Sequence, residues 1–318
     1  MKIVKSIAKT VVGYDHRPQL RRAVERWKLR RSDLKRRRQK STRAKYPVIE
    51  PGGQLPTETV IVNTRHGYPM IITPKSRWID QHLWKNGSYE LGTTHLIRKF
   101  LGSGETFFDI GANIGLMTIA ASLAVGPAGR VVSFEPDHAN FSILLENILL
   151  NKATNVCVLN LAVGDKAGEF NLFCSTTEDG GLTSLVDHGG FQQTQVVSTT
   201  PLDKMLDIFP SRPVSAVKID VEGYEYRVVN GAKELLSHYK PIVIMEFDES
   251  HGDGQYNCLD AGTILLSLGY EAYFGSGKSA MDTVLRFQPK FESKKYDNMI
   301  FVHRDRKAQV QRRGIELR

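Results

Sequence analysis

Cysteine is scarce in this chain: its 318 residues include three, Cys157, Cys174 and Cys258. Their spacing matches no metal-binding pattern and their surroundings are apolar or mixed. That excludes a disulfide scaffold and a zinc centre and suits a reducing compartment. No run of about eighteen or more apolar residues occurs, so no segment reads as a membrane-spanning helix. The opening MKIVKSIAKTVVGY is basic and apolar, but its apolar run is too broken for a secretory signal. The expected location is cytoplasmic, with attachment to the periphery of a membrane as a further option. A Gly-x-Gly-x-x-Gly run is also missing, and with it the geometry that seats a pyrophosphate against a helix N-terminus.

Acids are rare at the start of the chain. Residues 1–45 hold 17 Lys or Arg against 3 Asp or Glu, a balance of +14, while the remainder holds 26 against 31, a balance of −5. The formal net charge of +9 therefore describes a mildly acidic body carrying a very basic arm. Leu20, Val24, Trp27 and Leu34 recur in the arm at near-helical spacing. Such a helix could lie on an anionic membrane surface, grip RNA phosphates, or dock on the body or on a second subunit of a homo-oligomer. Nucleic acid is the weakest of these readings, because no aromatic stacking platform accompanies the charge.

Hydrophobic residues at 41% and charged residues at 24% are the balance of a globular body. Tyr46 to Pro56 reads as a linker. Thr59–Val62 and Tyr68–Ile72 are expected to pair as a hairpin in a small cap over 46–88, and Tyr89–Leu101 to form a helix. Strand and helix then alternate. Strands are expected at Thr106–Asp109, Val131–Glu135, Val156–Asn160, Ala216–Asp220, Ile242–Glu246, Glu271–Phe274 and Asn298–His303. Helices are expected around Ile114–Leu123, Asn140–Leu150, Val228–Ser237 and Leu259–Leu268. Glu169–Phe173 and Gln195–Ser198 read as an inserted hairpin. The expected fold is α/β, a doubly wound, seven-stranded, mostly parallel sheet over 89–303, with 304–318 as a second basic tail.

Chemistry concentrates where strands end. Glu105 to Gly115, ETFFDIGANIG, is a short apolar strand, a glycine turn and a helix start, the form of a cofactor pocket at a strand's carboxyl end. Asp109 stands directly before the turn, where a carboxylate repels a pyrophosphate and suits a cofactor bearing an ammonium group. S-adenosylmethionine carries that ammonium, a sulfonium and no phosphate. The next strand ends at Glu135, placed to accept from both hydroxyls of a ribose. In VKIDVEGYE, Asp220 ends an apolar run and Glu222 follows two residues later. Such a pair is an acid–base couple, a cation site or an anchor for substrate hydroxyls, unless Glu222 caps the next helix. A divalent metal such as magnesium would need only one or two of these carboxylates, and none is assigned. Methyl transfer to an alcohol requires loss of its proton, for which Asp220, Glu222, Glu246 and His251 are the candidates. The polar run from Ser175 to Gly190 is expected to close over a hydroxyl-rich acceptor.

The ordered runs FFDIGANIGLMTIAAS, VVSFEPDHANFSILLENILLN, LAVGD, VKIDVEGYEYRVVNGA and PIVIMEF resemble the FkbM family of class I methyltransferases, over about residues 89–303. The resemblance implies transfer of a methyl group from S-adenosylmethionine to oxygen, commonly on a sugar or polyketide-type hydroxyl. It implies that Asp109, Gly111, Ala112, Asn113 and Gly115 hold the methionine part of the cofactor and Glu135 its ribose. Pro136 and Asp137 would shape the edge near adenine, and Ala162, Val163 and Gly164 would line it, with Asp165 nearby. Asp220 and Glu222 would face the transfer crevice. The acceptor is then a small molecule or glycan. Two rivals remain: ribose 2′-O methylation of RNA, and a cofactor-binding interaction module that works through the arm. Base-amine methylation is disfavoured, since Asp220-Val221-Glu222-Gly223 stands where a polar-Pro-Pro-aromatic element would be needed.

Overall fold

A computed structural model describes residues 45–175, 183–187, 191–206, 213–249, 251–275, 284–288 and 296–318. The arm up to residue 44, with the Leu20, Val24, Trp27 and Leu34 stripe, lies outside the described residues, as do 176–182 and 188–190 of the polar loop.

The cap opens with β1 (Val48–Ile49), β2 (Val60–Asn63) and β3 (Pro69–Ile72). Strand β1 runs parallel to β2, and β2 pairs antiparallel with β3, so the expected hairpin is present. Helices α1 (Trp78–Asn86) and α2 (Leu91–Phe100) follow. One buried asparagine ties this cap to the body. Asn147 accepts from the Ile71 amide at 2.6 Å and donates to the carbonyls of Ile71 and Ile114 at 3.3 and 2.9 Å.

The body then alternates through β4 (Thr106–Ile110), α3 (Leu116–Val125), β5 (Arg130–Phe134), α4 (His138–Leu150) and β6 (Val156–Leu159). A second, four-stranded sheet is inserted next, from β7 (Ala162–Val163), β8 (Gly168–Ser175), β9 (Thr183–Ser184) and β10 (Phe191–Thr200). Its β8–β10 pair is the expected inserted hairpin, in longer form. The chain returns through β11 (Val214–Ile219), α5 (Glu225–Asn230), α6 (Lys233–Tyr239), β12 (Ile242–Phe247) and α7 (Cys258–Ser267). It ends with β13 (Tyr270–Gly275), β14 (Val284–Phe287), β15 (Tyr296–His303), α8 (Lys307–Arg312) and β16 (Glu316–Leu317).

The main sheet has nine strands in the order β16-β14-β13-β15-β12-β11-β4-β5-β6, rather than seven. It is mixed rather than mostly parallel: β12, β11, β4, β5 and β6 run parallel, while β15 pairs antiparallel with both β12 and β13, and β13 with β14. The two extra strands are short edge pieces without the apolar runs of the centre. One of them, β16, falls in the segment whose charge marked it as a tail. Residues 304–318 in fact pack against the body, with Val310 and Ile315 buried and Arg313 Nη2 2.5 Å from Glu105 Oε1. The helix expected over Val228–Ser237 is two helices, broken at Gly231. A Cβ there would lie 2.1 Å from the Gly164 carbonyl oxygen, so the chain must pass this loop without a side chain. Asp203 restarts the helix by accepting from the amides of Glu234 and Leu235.

Successive strand residues enter opposite cores. Phe107, Val131, Ala216 and Ile244 pack with the cap, α3 and α4, whereas Phe108, Val132, Val217 and Met245 pack with α5, α6 and α7. The result is an α/β fold with a central sheet flanked by helices, and the carboxyl ends of β4, β5 and β11 meet on one edge of it.

His66 ties the β2–β3 turn to the start of α2 within the cap. It is 3% exposed, its Nδ1 lies 3.1 Å from Thr94 Oγ1, and its Nε2 accepts from the Tyr89 amide at 3.2 Å. Burial, with Arg98 and Arg65 nearby, holds its pKa down to about 4, against an ordinary 6.5. Between those values the unfolded chain takes a proton that the folded chain refuses, so this group's stabilisation is full above pH 6.5 and shrinks as pH falls towards 4. Urea unfolding at pH 7 and pH 5 is expected to show a loss on the order of 1 kcal/mol from this residue. His66→Gln should be less stable at pH 7 and should lack this part of the drop; an identical pH dependence in both chains would place its origin elsewhere.

Candidate active site

The turn after β4 is shaped by backbone contact between neighbouring strand ends. Gly111 has φ +78°, and a Cβ on it would lie 1.8 Å from the Asp220 carbonyl oxygen, so this position must be glycine. The Asp220 amide donates to Ile110 O at 3.1 Å, and the amides of Gly111 and Ala112 both donate to Phe134 O at 3.0 Å. The ends of β4, β5 and β11 are thereby fixed around one cavity of about 1040 Å³, counting the space open to solvent at its mouth.

Gly111, Ala112, Asn113, Glu135, Pro136, Ala162, Val163, Asp220 and Glu222 all line this cavity. Six other candidates support the wall rather than form it. Asp109 is fully buried behind the turn, where Thr118 Oγ1 donates to its Oδ2 at 2.5 Å. It is not among the residues that line the cavity, and its Oδ1 is buried without a hydrogen-bond partner among the described residues. Gly115 starts α3 at φ +91° with Leu144 close by, and Gly164 abuts the Tyr224 ring. Asp137 caps α4 by accepting from the Asn140 amide and also accepts from Gln195 Nε2 at 2.6 Å. Glu246 and His251 stand behind Glu222: Glu246 shares a close cluster with Asp220 and Glu222, and His251 Nδ1 lies 3.6 Å from Glu222 Oε2.

Glu135 is 3% exposed and accepts from two backbone amides, Asn113 at 2.7 Å through Oε2 and Asp137 at 2.9 Å through Oε1. Burial pushes its pKa up to about 8 against the pull of those amides. Each oxygen keeps a lone pair for a ligand hydroxyl. Asn113 Oδ1 is buried without a hydrogen-bond partner among the described residues.

The acidic end of the cavity is the most perturbed. Oxygens of Asp220, Glu222 and Glu246 lie within 4.8 Å of one another. Burial, then the neighbouring acids, push Glu222 to about 8 and Glu246 to about 11. Lys218 Nζ, 3% exposed as a residue, contacts Asp220 Oδ2 at 2.5 Å and is held charged by Asp220, Glu90 and Asp109. Three carboxylate oxygens are a donor set for a hard divalent cation, although Lys218 already supplies one positive charge there. Tyr89 and Glu90 enter the wall from the cap, and Leu172, Thr183 and Leu185 from the inserted sheet. Sequence reasoning missed Lys218 and Glu90. Lys218 was visible as a charge inside an apolar strand, two residues from Asp220 and so on its face; Glu90 looked like an ordinary acid before a helix.

A site walled by carboxylates fits a sulfonium cofactor. The model of the methyltransferase FkbM domain matches residues 109–272, and the chain belongs to that family. This domain is accordingly an S-adenosylmethionine-dependent methyltransferase. Among solved structures, the chain is similar to the methyltransferase FkbM from Methylobacillus flagellatus KT, at 19% identity and TM-score 0.41, over 65% of this chain and 48% of that one. It thus spans about half the length of that relative. It is also similar to an O-methyltransferase from Bacillus cereus, at 16% identity and TM-score 0.37 over 67% of this chain and 79% of that one. TomG, an O-methyltransferase from Streptomyces achromogenes, gives 14% identity and TM-score 0.39 over 67% and 79%. Likenesses this distant carry no argument about chemistry. No curated protein matches the chain. Among the described residues, no helix is long and apolar enough to cross a membrane.

Because both oxygens of Glu135 already accept backbone N–H groups, an amide here must turn an NH2 against one of them. Glu135→Gln is therefore expected to weaken S-adenosylmethionine nearly as much as Glu135→Ala, by about 1.5–3 kcal/mol in calorimetry. Cofactor affinity unchanged in both variants would remove Glu135 from the ribose site.

Proposed function

We propose that this chain transfers the methyl group of S-adenosylmethionine to a hydroxyl of a sugar, glycan or related polyhydroxylated molecule. The observation that carries the proposal is the carboxylate group at one end of the cavity, where Asp220 and Glu222 line the wall with Glu246 beside them. Carboxylates in such a place accept hydrogen bonds from several hydroxyls at once and can take the proton that one of them must lose. The cofactor, when bound, supplies a methyl group already activated on a sulfonium. The remaining work is alignment and proton removal, and both fall to the chain's own side chains.

Asp220, paired with Lys218 at 2.5 Å, anchors the acceptor. Glu222, on the cavity wall and 3.6 Å from His251, takes the hydroxyl proton; His251, its side chain 36% exposed, leads from there towards solvent. Ser184 Oγ donates to the Glu222 carbonyl at 2.7 Å, so the inserted sheet braces the backbone of the base. That sheet and the cap together narrow the acceptor's approach and exclude water.

Offering labelled S-adenosylmethionine with a panel of glycans, lipid-linked sugars, small polyols and RNA tests the acceptor class. Stable label on a carbohydrate hydroxyl supports the reading. Label confined to RNA ribose would replace it with 2′-O methylation, with the basic arm gripping phosphates. With an acceptor in hand, Asp220→Asn and Glu222→Gln should each lower kcat by roughly 10- to 1000-fold while cofactor affinity changes far less. Full turnover in both would end the assignment of the proton to this cluster.

A further inference from the structure

Asp109 is shut away behind the turn, which leaves open what receives the charged amino-acid end of the cofactor. That end is a zwitterion, with an ammonium and a carboxylate on one carbon. It needs an anion and a cation side by side on the wall, each with capacity left after its contacts to the protein.

Two lysine or arginine side chains line the cavity among the described residues, Arg77 and Lys218. Arg77 is paired with an acid outside the cavity lining: its Nη1 donates to Asp80 Oδ2 at 2.8 Å and its Nε to Asn140 Oδ1 at 2.9 Å. Lys218 donates to Asp220 and keeps further ammonium protons. Of the lining carboxylates, Glu135 serves two backbone amides and Asp220 is paired with Lys218. Glu222 sits in the acid cluster with His251 behind it.

Glu90 is different. It precedes α2 in the left-handed region, at φ +44°, and makes no side-chain cap to that helix. Its carboxylate instead accepts from Asn298 Nδ2 at 3.1 Å, and Asn298 is braced in turn by Thr93 Oγ1 at 3.3 Å. Glu90 and Lys218 both line the cavity and act on each other electrostatically, while the ion pair that Lys218 makes is with Asp220.

We infer that Glu90 and Lys218 together hold the amino-acid end of the cofactor, Glu90 taking the α-ammonium and Lys218 the carboxylate. The assignment rests on the reading of this cavity as the S-adenosylmethionine site and adds a binding residue that lies outside residues 109–272, the stretch the family model matches. It gives the cap a second function, since the segment that closes the cavity also reads the cofactor. It also explains why a glutamate occupies a backbone conformation that favours glycine or asparagine.

Calorimetry on the full chain tests it with four compounds: S-adenosylmethionine, S-adenosylhomocysteine, decarboxylated S-adenosylmethionine, and methylthioadenosine, which lacks the amino-acid end. Glu90→Gln should weaken the first two by about tenfold or more and leave methylthioadenosine within about twofold. Unchanged S-adenosylmethionine affinity, or an equal loss for methylthioadenosine, would overturn the role of Glu90. The role of Lys218 is read on the wild-type chain, where a substitution cannot disturb folding around a buried charge. Decarboxylated cofactor should bind about tenfold more weakly than the intact one, and equal affinity would overturn it. If the wild-type chain binds none of the four, the cofactor reading of the cavity falls and this assignment falls with it.

Discussion

The architecture of the site depends on one close approach, the backbone of Gly111 against the carbonyl of Asp220. No side chain fits between the two strand ends. Because they touch, the turn after β4 and the acids after β11 form adjacent walls of a single cavity. The amides of Gly111 and Ala112 extend the contact to the end of β5, which brings Glu135 into the same wall. Glu135 and the acids Asp220 and Glu222 are therefore held in one wall system by contacts between strand ends.

Charge follows from that geometry. Asp220 pairs with the ammonium of Lys218, and Glu222 and Glu246 add further acid at the same end. Burial, opposed in part by Lys218, pushes Glu90, Glu222 and Glu246 up the pH scale.

Much of this was legible in the sequence, because central parallel strands are continuous apolar runs and their ends are marked by the first polar residue. Asp109, Glu135, Asp220 and Glu246 were found in that way. What could not be read was direction. Whether a strand-end side chain faces a helix or a cavity depends on packing from distant segments, as with Asp109, which accepts from Thr118 of α3. The edge strands β14 and β16 were invisible for a related reason: they are short, partly polar, and held by pairing rather than by pattern. The break at Gly231 was hidden because helical periodicity does not register that another loop must pass there. The inserted sheet was seen as a hairpin, but its place on the cavity wall depends on the Ser184 contact with Glu222, which joins residues far apart in the chain.

The pairing of β4 with β11 has a consequence for how the molecule forms. Thr106 lies beside Val214, so the central ladder of the sheet closes a loop of more than a hundred residues. Contacts of such long sequence separation form late, because the entropy of closing the loop must be met before the ladder gives anything back. Until β11 arrives, β4 is an open edge of exposed apolar strand, the kind of surface that pairs with the wrong chain. The two halves of the catalytic crevice lie on either side of that gap in time, so a partly folded chain with β4, β5 and β6 in place would have structure but no working site.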